Sequence, residues 1–157
     1  MHRIGIGTDI HRLVPDRKLV IGGVEIRSDL GAEGHSDADV LMHAAADAVL
    51  GSLALGDIGT HFPNDEERWR NAESSQFLLY AVGLIKQQGY LIANLDAVVH
   101  LESPKLRPHI EQMRENLATV LDVRKDQVSV KAKTGEGVDS IGMRQAVSAQ
   151  VTVLVFR

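Results

Sequence analysis

Asp9 and His11 stand two apart in a glycine-punctuated apolar run near the start of the chain. Residues two apart in a strand point to the same side, so a carboxylate and an imidazole project together. That pair suits a borderline cation such as zinc, and it also suits a plain polar strand end. His35–Ser36–Asp37–Ala38–Asp39, followed by His43, forms a second group. In a helix, Asp39, His43 and Asp47 are four apart and share a face. Asp9, His11 and His43 together supply three oxygen or nitrogen ligands. Zinc on three protein groups keeps a fourth position open, which is the catalytic arrangement. His35 and Ser36 precede a helix whose free N–H groups can receive a phosphate oxygen; the other reading is an ordinary N-cap.

Two further groups lie downstream. Lys131–Ala132–Lys133–Thr134–Gly135–Glu136 ends a strand. Lys133 and Thr134 can contact phosphate and Glu136 can hold a magnesium ion, or the segment is a solvated turn. Ser103–Pro104–Lys105–Leu106–Arg107–Pro108 is stiffened by its prolines. Its backbone can read a flat base while Lys105 reaches a phosphate, or it is simply the start of a helix.

Alternating strands and helices must position these groups. Residues 3–9 read as a glycine-broken strand, and residues 17–26 as a hairpin turning on Gly22–Gly23. Ser36 is expected to cap a helix with Asp37 and Asp39 in its first turn and Val40, Leu41, Ala44, Ala45, Ala48, Val49 and Leu53 as its buried stripe. Residues 57–72 read as a loop, long enough to be functional. A helix over 73–88 closes at Gly89, a strand covers 91–101, and a helix beginning near Pro104 or Pro108 runs to about Leu121. Residues 128–132 and 146–156 complete the strands. The expected fold is one α/β (α+β) domain over residues 1–157, a mixed sheet with helices on one face.

Composition narrows the function. A net charge of −4 disfavours a protein that grips nucleic acid through phosphates. With no cysteine, thiol nucleophiles, disulfides and Cys-ligated zinc or iron–sulfur sites are excluded. No apolar run approaches the roughly 20 residues that span a bilayer, so no membrane association is expected. Met1–His2–Arg3 leads directly into the first strand, so the chain is expected to act in the compartment where it is made, the bacterial cytoplasm, or the plastid stroma if a leader has been removed.

The set Gly5-x-Gly7-x-Asp9-x-His11, Ile21–Gly22–Gly23, His35–Ser36–Asp37-x-Asp39, His43, Gly56–Asp57–Ile58–Gly59, Phe62–Pro63, Pro104–Lys105 and Lys131–Ala132-x-Thr134-x-Glu136 resembles the 2-C-methyl-D-erythritol 2,4-cyclodiphosphate synthase family. The match runs from the first strand to the last. The resemblance implies conversion of 4-diphosphocytidyl-2-C-methyl-D-erythritol 2-phosphate to the cyclic diphosphate with release of CMP, a lyase step of non-mevalonate isoprenoid biosynthesis. It implies a homotrimer, ferredoxin-like in flavour, with active sites between subunits. Asp9, His11 and His43 correspond to zinc ligands and Glu136 to a magnesium ligand between the α- and β-phosphates. His35 and Thr134 correspond to groups that steady the transition state, with His35 and Ser36 on a substrate phosphate. Asp57, Ile58 and Gly59 correspond to the erythritol site, on a loop that continues through Phe62, Pro63, Asn64, Asp65 and Glu66. Leu101, Ser103, Pro104, Lys105, Leu106 and Arg107 correspond to the cytidine pocket, supplied by the adjacent subunit. Lys133 and Gly135 complete the phosphate-binding segment.

The chain departs from the family pattern at Thr8, Asn64 and Lys133 and through residues 137–146, where Arg144 lies one position from the usual arginine. Zinc ligands alone would also permit a phosphate hydrolase, and the scaffold alone a non-catalytic nucleotide- or isoprenoid-binding trimer.

Overall fold

The computed structural model describes residues 1–63 and 72–157. The chain forms β1 (His2–Val14), β2 (Leu19–Ile21), β3 (Val24–Ile26), β4 (Gly31–Ala32), α1 (Val40–Ser52), α2 (Ile58–His61), α3 (Ser75–Gln87), β5 (Leu91–His100), α4 (Ile110–Leu121), β6 (Val128–Lys133), α5 (Asp139–Gly142) and β7 (Ala146–Phe156). Five strands make one mixed sheet in the order β4-β1-β7-β5-β6. Among the described residues only β5 and β6 run parallel, joined by α4; the other pairs are antiparallel.

The first strand is longer than the sequence suggests. Gly5 and Gly7 do not break it; β1 pairs continuously with β7 from His2↔Phe156 to Arg12↔Ala146. The glycines serve close packing instead. A Cβ on Gly5 would lie 1.8 Å from the Ala48 carbonyl oxygen, and one on Gly7 2.0 Å from that of Ala44. Helix α1 therefore rests directly on β1. Its residues are buried almost all round, Ala44, Ala45 and Ala48 among them. Gly5, Gly7, Asp9 and His11 share one face of β1. The strand face that touches α1 at the glycines thus carries Asp9 and His11 onward to the helix's N-terminal end.

The Gly-Gly turn forms as expected, with Gly22 at φ +59° and Gly23 at φ +71°, both in the left-handed region that glycine tolerates. Helix α1 is capped differently from expectation. Asp39, not Ser36, is its N-cap, and its carboxylate accepts from Leu41 N at 3.1 Å and Met42 N at 3.0 Å. The same carboxylate accepts from Gly22 N at 2.8 Å and Gly23 N at 2.6 Å. Four backbone donors compensate a fully buried charge and tie the hairpin turn to the helix start. A carboxylate can receive all four, where a serine hydroxyl has too few lone pairs.

Three short elements were not legible: β4, α2 within the expected loop, and α5. The opposite face of the sheet near β1 is bare, with Ile4, Ile6 and Ile10 each at least 60% exposed and Thr8 between them.

Candidate metal centre

Asp9, His11 and His43 converge. His11 Nε2 lies 2.8 Å and His43 Nδ1 3.0 Å from Asp9 Oδ2. The two ring nitrogens are 3.1 Å apart. Around tetrahedral zinc, with bonds near 2.0–2.1 Å, ligand atoms would sit about 3.3 Å from one another. The cluster is already close to that size. Among the described residues no other group of three such side chains gathers in this way.

Each imidazole is held from behind. His11 Nδ1 lies 2.9 Å from the Glu33 carbonyl oxygen, which can only accept, so Nδ1 carries the proton and donates it. Strand β4 places that carbonyl: Ala32 pairs with Leu13, and Glu33 N donates to the Arg12 carbonyl at 2.9 Å. His43 is buried against Phe77, with ring centroids 5.8 Å apart. Its Nε2 faces Ser74 Oγ at 2.8 Å and Ser36 Oγ at 3.2 Å.

Burial works against ionising Asp9, yet the hydrogen bond from His11 and its charge, with the His43 ring close by, outweigh it and hold the carboxyl well below the usual carboxylate range. Burial likewise disfavours charge on His11, but the Asp9 carboxylate and the Glu33 carbonyl prevail and raise its pKa above 6.5.

The three acids and bases expected along one face of α1 separate. Asp39 turns to the hairpin, and Asp47 Oδ1 accepts from Ile58 N at 2.7 Å; His43 alone reaches the cluster. Asp47 thereby fastens the Asp57–Gly59 turn to α1. Asp57 caps α2, its Oδ1 accepting from Thr60 N and Thr60 Oγ1 at 2.8 Å each. Phe62 is buried between Phe77 and Tyr80, with centroids at 4.7 and 5.0 Å. Pro63 ends this stretch of chain, and Asn64, Asp65 and Glu66 lie outside the described residues.

His35 is exposed, whereas Ser36 is buried with its hydroxyl turned inward, accepting from Ala38 N at 3.1 Å. The two downstream groups meet each other. Leu101 N donates to the Lys133 carbonyl at 2.9 Å, and Gly135 N to Glu102 Oε2 at 2.8 Å. Leu101 and Leu106 are buried, and the Ser103–Pro104 bond is cis. Thr134 Oγ1 donates to Glu136 Oε1 at 2.7 Å, and Lys133 is exposed. Ser103, Lys105 and Arg107 lie on the connection from β5 to α4, Arg107 opening a single 3-10 turn. Asp9, Val99 and Ala132 occupy one rung of the sheet through Ala149. In one chain, then, the Asp9 cluster and the Lys133–Glu136 segment are three strand spacings apart, about 14 Å.

The YgbB family model matches residues 2–156, nearly the whole chain. The chain belongs to this family, that of the 2-C-methyl-D-erythritol 2,4-cyclodiphosphate synthases. A relative from Trichlorobacter lovleyi bearing that synthase name is 52% identical over 153 residues, covering 98% of each chain. A solved structure of such a synthase in its CDP-bound form is 38% identical with a TM-score of 0.91, covering 98% of this chain and all of that one. The bifunctional IspDF of Campylobacter jejuni superposes with a TM-score of 0.94 at 34% identity; this chain spans 42% of its length. No helix among the described residues is long and apolar enough to cross a membrane.

For this YgbB chain, sequence reasoning missed groups behind the candidate ligands: the Glu33 carbonyl and Ser74, and with it the contact of Asp37, which was expected in the first turn of α1. A backbone carbonyl leaves no mark in a sequence. Ser74 stands 31 residues from His43, and no local spacing joins them.

Proposed function

We propose that the chain closes 4-diphosphocytidyl-2-C-methyl-D-erythritol 2-phosphate into 2-C-methyl-D-erythritol 2,4-cyclodiphosphate and releases CMP. The observation that carries this reading is the convergence of Asp9, His11 and His43 in a YgbB-family chain. The donor set of one carboxylate oxygen and two imidazole nitrogens fits zinc and leaves a coordination position for a phosphate oxygen. A cation held there supplies Lewis-acid charge to the diphosphate, and a magnesium ion held by Glu136 would neutralise charge between the two phosphates.

The remaining work falls to the chain's own residues. An oxygen of the substrate's 2-phosphate attacks the β-phosphorus, a new P–O–P bond closes the ring, and the bond to CMP breaks with its electrons leaving on CMP. No protein nucleophile enters, in keeping with a chain free of cysteine. The protein's task is to hold the ring-closing geometry. His35, exposed on the segment that leads into α1, and Thr134 would meet the transferring phosphate. The inward hydroxyl of Ser36 leaves its backbone N–H, together with Lys133 and Gly135, as the groups that would contact phosphate. Asp57, Ile58 and Gly59, pinned by Asp47, would take the erythritol, with the chain from Phe62 to Glu66 beside it. Residues 101–107 would take the cytidine, a reading supported by the relative solved with CDP.

One substrate reaches both the Asp9 cluster and the Lys133–Glu136 segment only if they come from different chains or bridge about 14 Å in one chain. The bare Ile4, Ile6 and Ile10 face supports association into a homotrimer with sites between subunits. The test is product analysis with the cytidine substrate. Cyclic diphosphate and CMP in equal amounts are expected. A linear monophosphate would instead mark a hydrolase, and no turnover a binding protein.

A further inference from the structure

Ser74 occupies the N-cap position of α3, where a serine hydroxyl ordinarily accepts from the helix's own free N–H groups. It makes no such bond here. The hydroxyl is instead fully buried between two side chains, Asp37 and His43. Asp37 grips this serine twice: Oδ2 accepts from Ser74 N at 3.1 Å, and Oδ1 accepts from the Ser74 hydroxyl.

These contacts have only one consistent direction. A carboxylate can only accept, so the single hydroxyl proton of Ser74 goes to Asp37. The oxygen of Ser74 is then left with lone pairs facing His43 Nε2 at 2.8 Å. That contact is a hydrogen bond only if Nε2 carries the proton. A neutral imidazole protonated on Nε2 has its lone pair on Nδ1, the nitrogen that lies 3.0 Å from Asp9 and 3.1 Å from His11. Ser36 Oγ, 3.2 Å from Nε2 and 3.3 Å from Ser74 Oγ, can reinforce the same polarity by donating to Ser74.

Resting on the metal reading above, we propose that Ser74 and Asp37 are positioning residues: they orient His43 and fix its tautomer so that Nδ1 is presented as a metal ligand. His11 has its counterpart in the Glu33 carbonyl, so both imidazoles are set by a partner on the far nitrogen. The pair also explains why Asp37 does not join α1. It is held at the start of α3, where Asp37 N donates to the Ala72 carbonyl at 3.2 Å.

Two measurements test this on the whole protein. Nitrogen-15 NMR of the metal-free wild type at mildly alkaline pH reads the His43 tautomer without any metal; the proton is expected on Nε2. Competition with a chromophoric chelator then reads zinc affinity in wild type, Ser74→Ala and Ser75→Ala. Ser74→Ala is expected to bind zinc about 10- to 100-fold more weakly and to lose the Nε2–H preference. Ser75→Ala alters the same helix end without facing His43 and is expected to match wild type. A His43 proton found on Nδ1, or zinc binding by Ser74→Ala within about twofold of wild type, would overturn the proposal. Failure of the wild type itself to take up zinc would strike the metal reading, while the tautomer still decides the roles of Ser74 and Asp37.

Discussion

His11 Nε2 sits between two acceptors, the Asp9 carboxylate at 2.8 Å and His43 Nδ1 at 3.1 Å, and because His11 Nδ1 already carries a proton for the Glu33 carbonyl, a proton on Nε2 makes the ring cationic. A proton on His11 Nε2 satisfies both neighbours, and a divalent cation bound there would take the place of that proton. The competition has a sign that can be checked in the metal-stripped protein. His11 has a raised pKa, so its contribution to stability is complete below 6.5 and is lost as pH rises through the folded value. Asp9 has a lowered pKa, so its contribution is complete above 3.8 and is lost as pH falls through the folded value. Thermal unfolding of stripped protein should therefore show stability falling as pH rises beyond 6.5, until His11 has lost its proton in the folded state. The release of one proton limits that slope to about 1.4 kcal/mol per pH interval of one. Asp9→Asn should flatten the loss. An unchanged slope in Asp9→Asn would show that the ion pair is not its source.

At the level of elements, the site depends on how closely α1 approaches β1. Gly7→Ala would thrust a methyl group to 2.0 Å from the Ala44 carbonyl oxygen, which is backbone and cannot swing aside. The helix must lift, and with it His43. A loss of about 3 kcal/mol or more in denaturant unfolding is expected, with weakened zinc binding. Gly83→Ala, on the surface of α3 with nothing within 4 Å, is the contrast and should cost nothing. Equal effects from the two would dissociate the glycines of β1 from helix packing. The same elements show what a sequence reveals and what it conceals. The hairpin was legible because Gly22 and Gly23 both need positive φ, and β7 because its alternation faces one helix layer. The candidate metal cluster was legible because Asp9 and His11 stand two apart on an extended strand. The true length of β1 was not, since the same glycines that permit contact with α1 look like strand breakers. The cap of α1 was not, because choosing Asp39 over Ser36 depends on the hairpin amides 16 and 17 residues upstream. Ser74 was hidden for the same reason: its partner is set by folding, not by spacing.

In the whole molecule, one chain carries the Asp9 cluster at β1 and the Thr134–Glu136 segment at β6, with two strands between them. If active sites form between subunits, each site draws its metal ligands from one chain and its phosphate and cytidine groups from the next. Co-expressing His43→Ala with Glu136→Gln chains tests this directly. Each variant alone is expected to be inactive or nearly so. In mixed assemblies about one site in four combines two intact halves, and about a quarter of wild-type activity should return. Sites built within single chains would recover nothing. The bare isoleucine face supplies the surface on which such assembly would rest.

Anomalous X-ray diffraction at the zinc edge, from crystals of the wild-type protein grown with zinc and CMP, asks the most direct question. One strong peak per chain is expected, within about 2.0–2.2 Å of Asp9, His11 Nε2 and His43 Nδ1 and with a fourth position turned to solvent or ligand. A map with no peak there, or with zinc bound through the outward nitrogens of those two histidines, would contradict the assignment of this cluster as the metal centre.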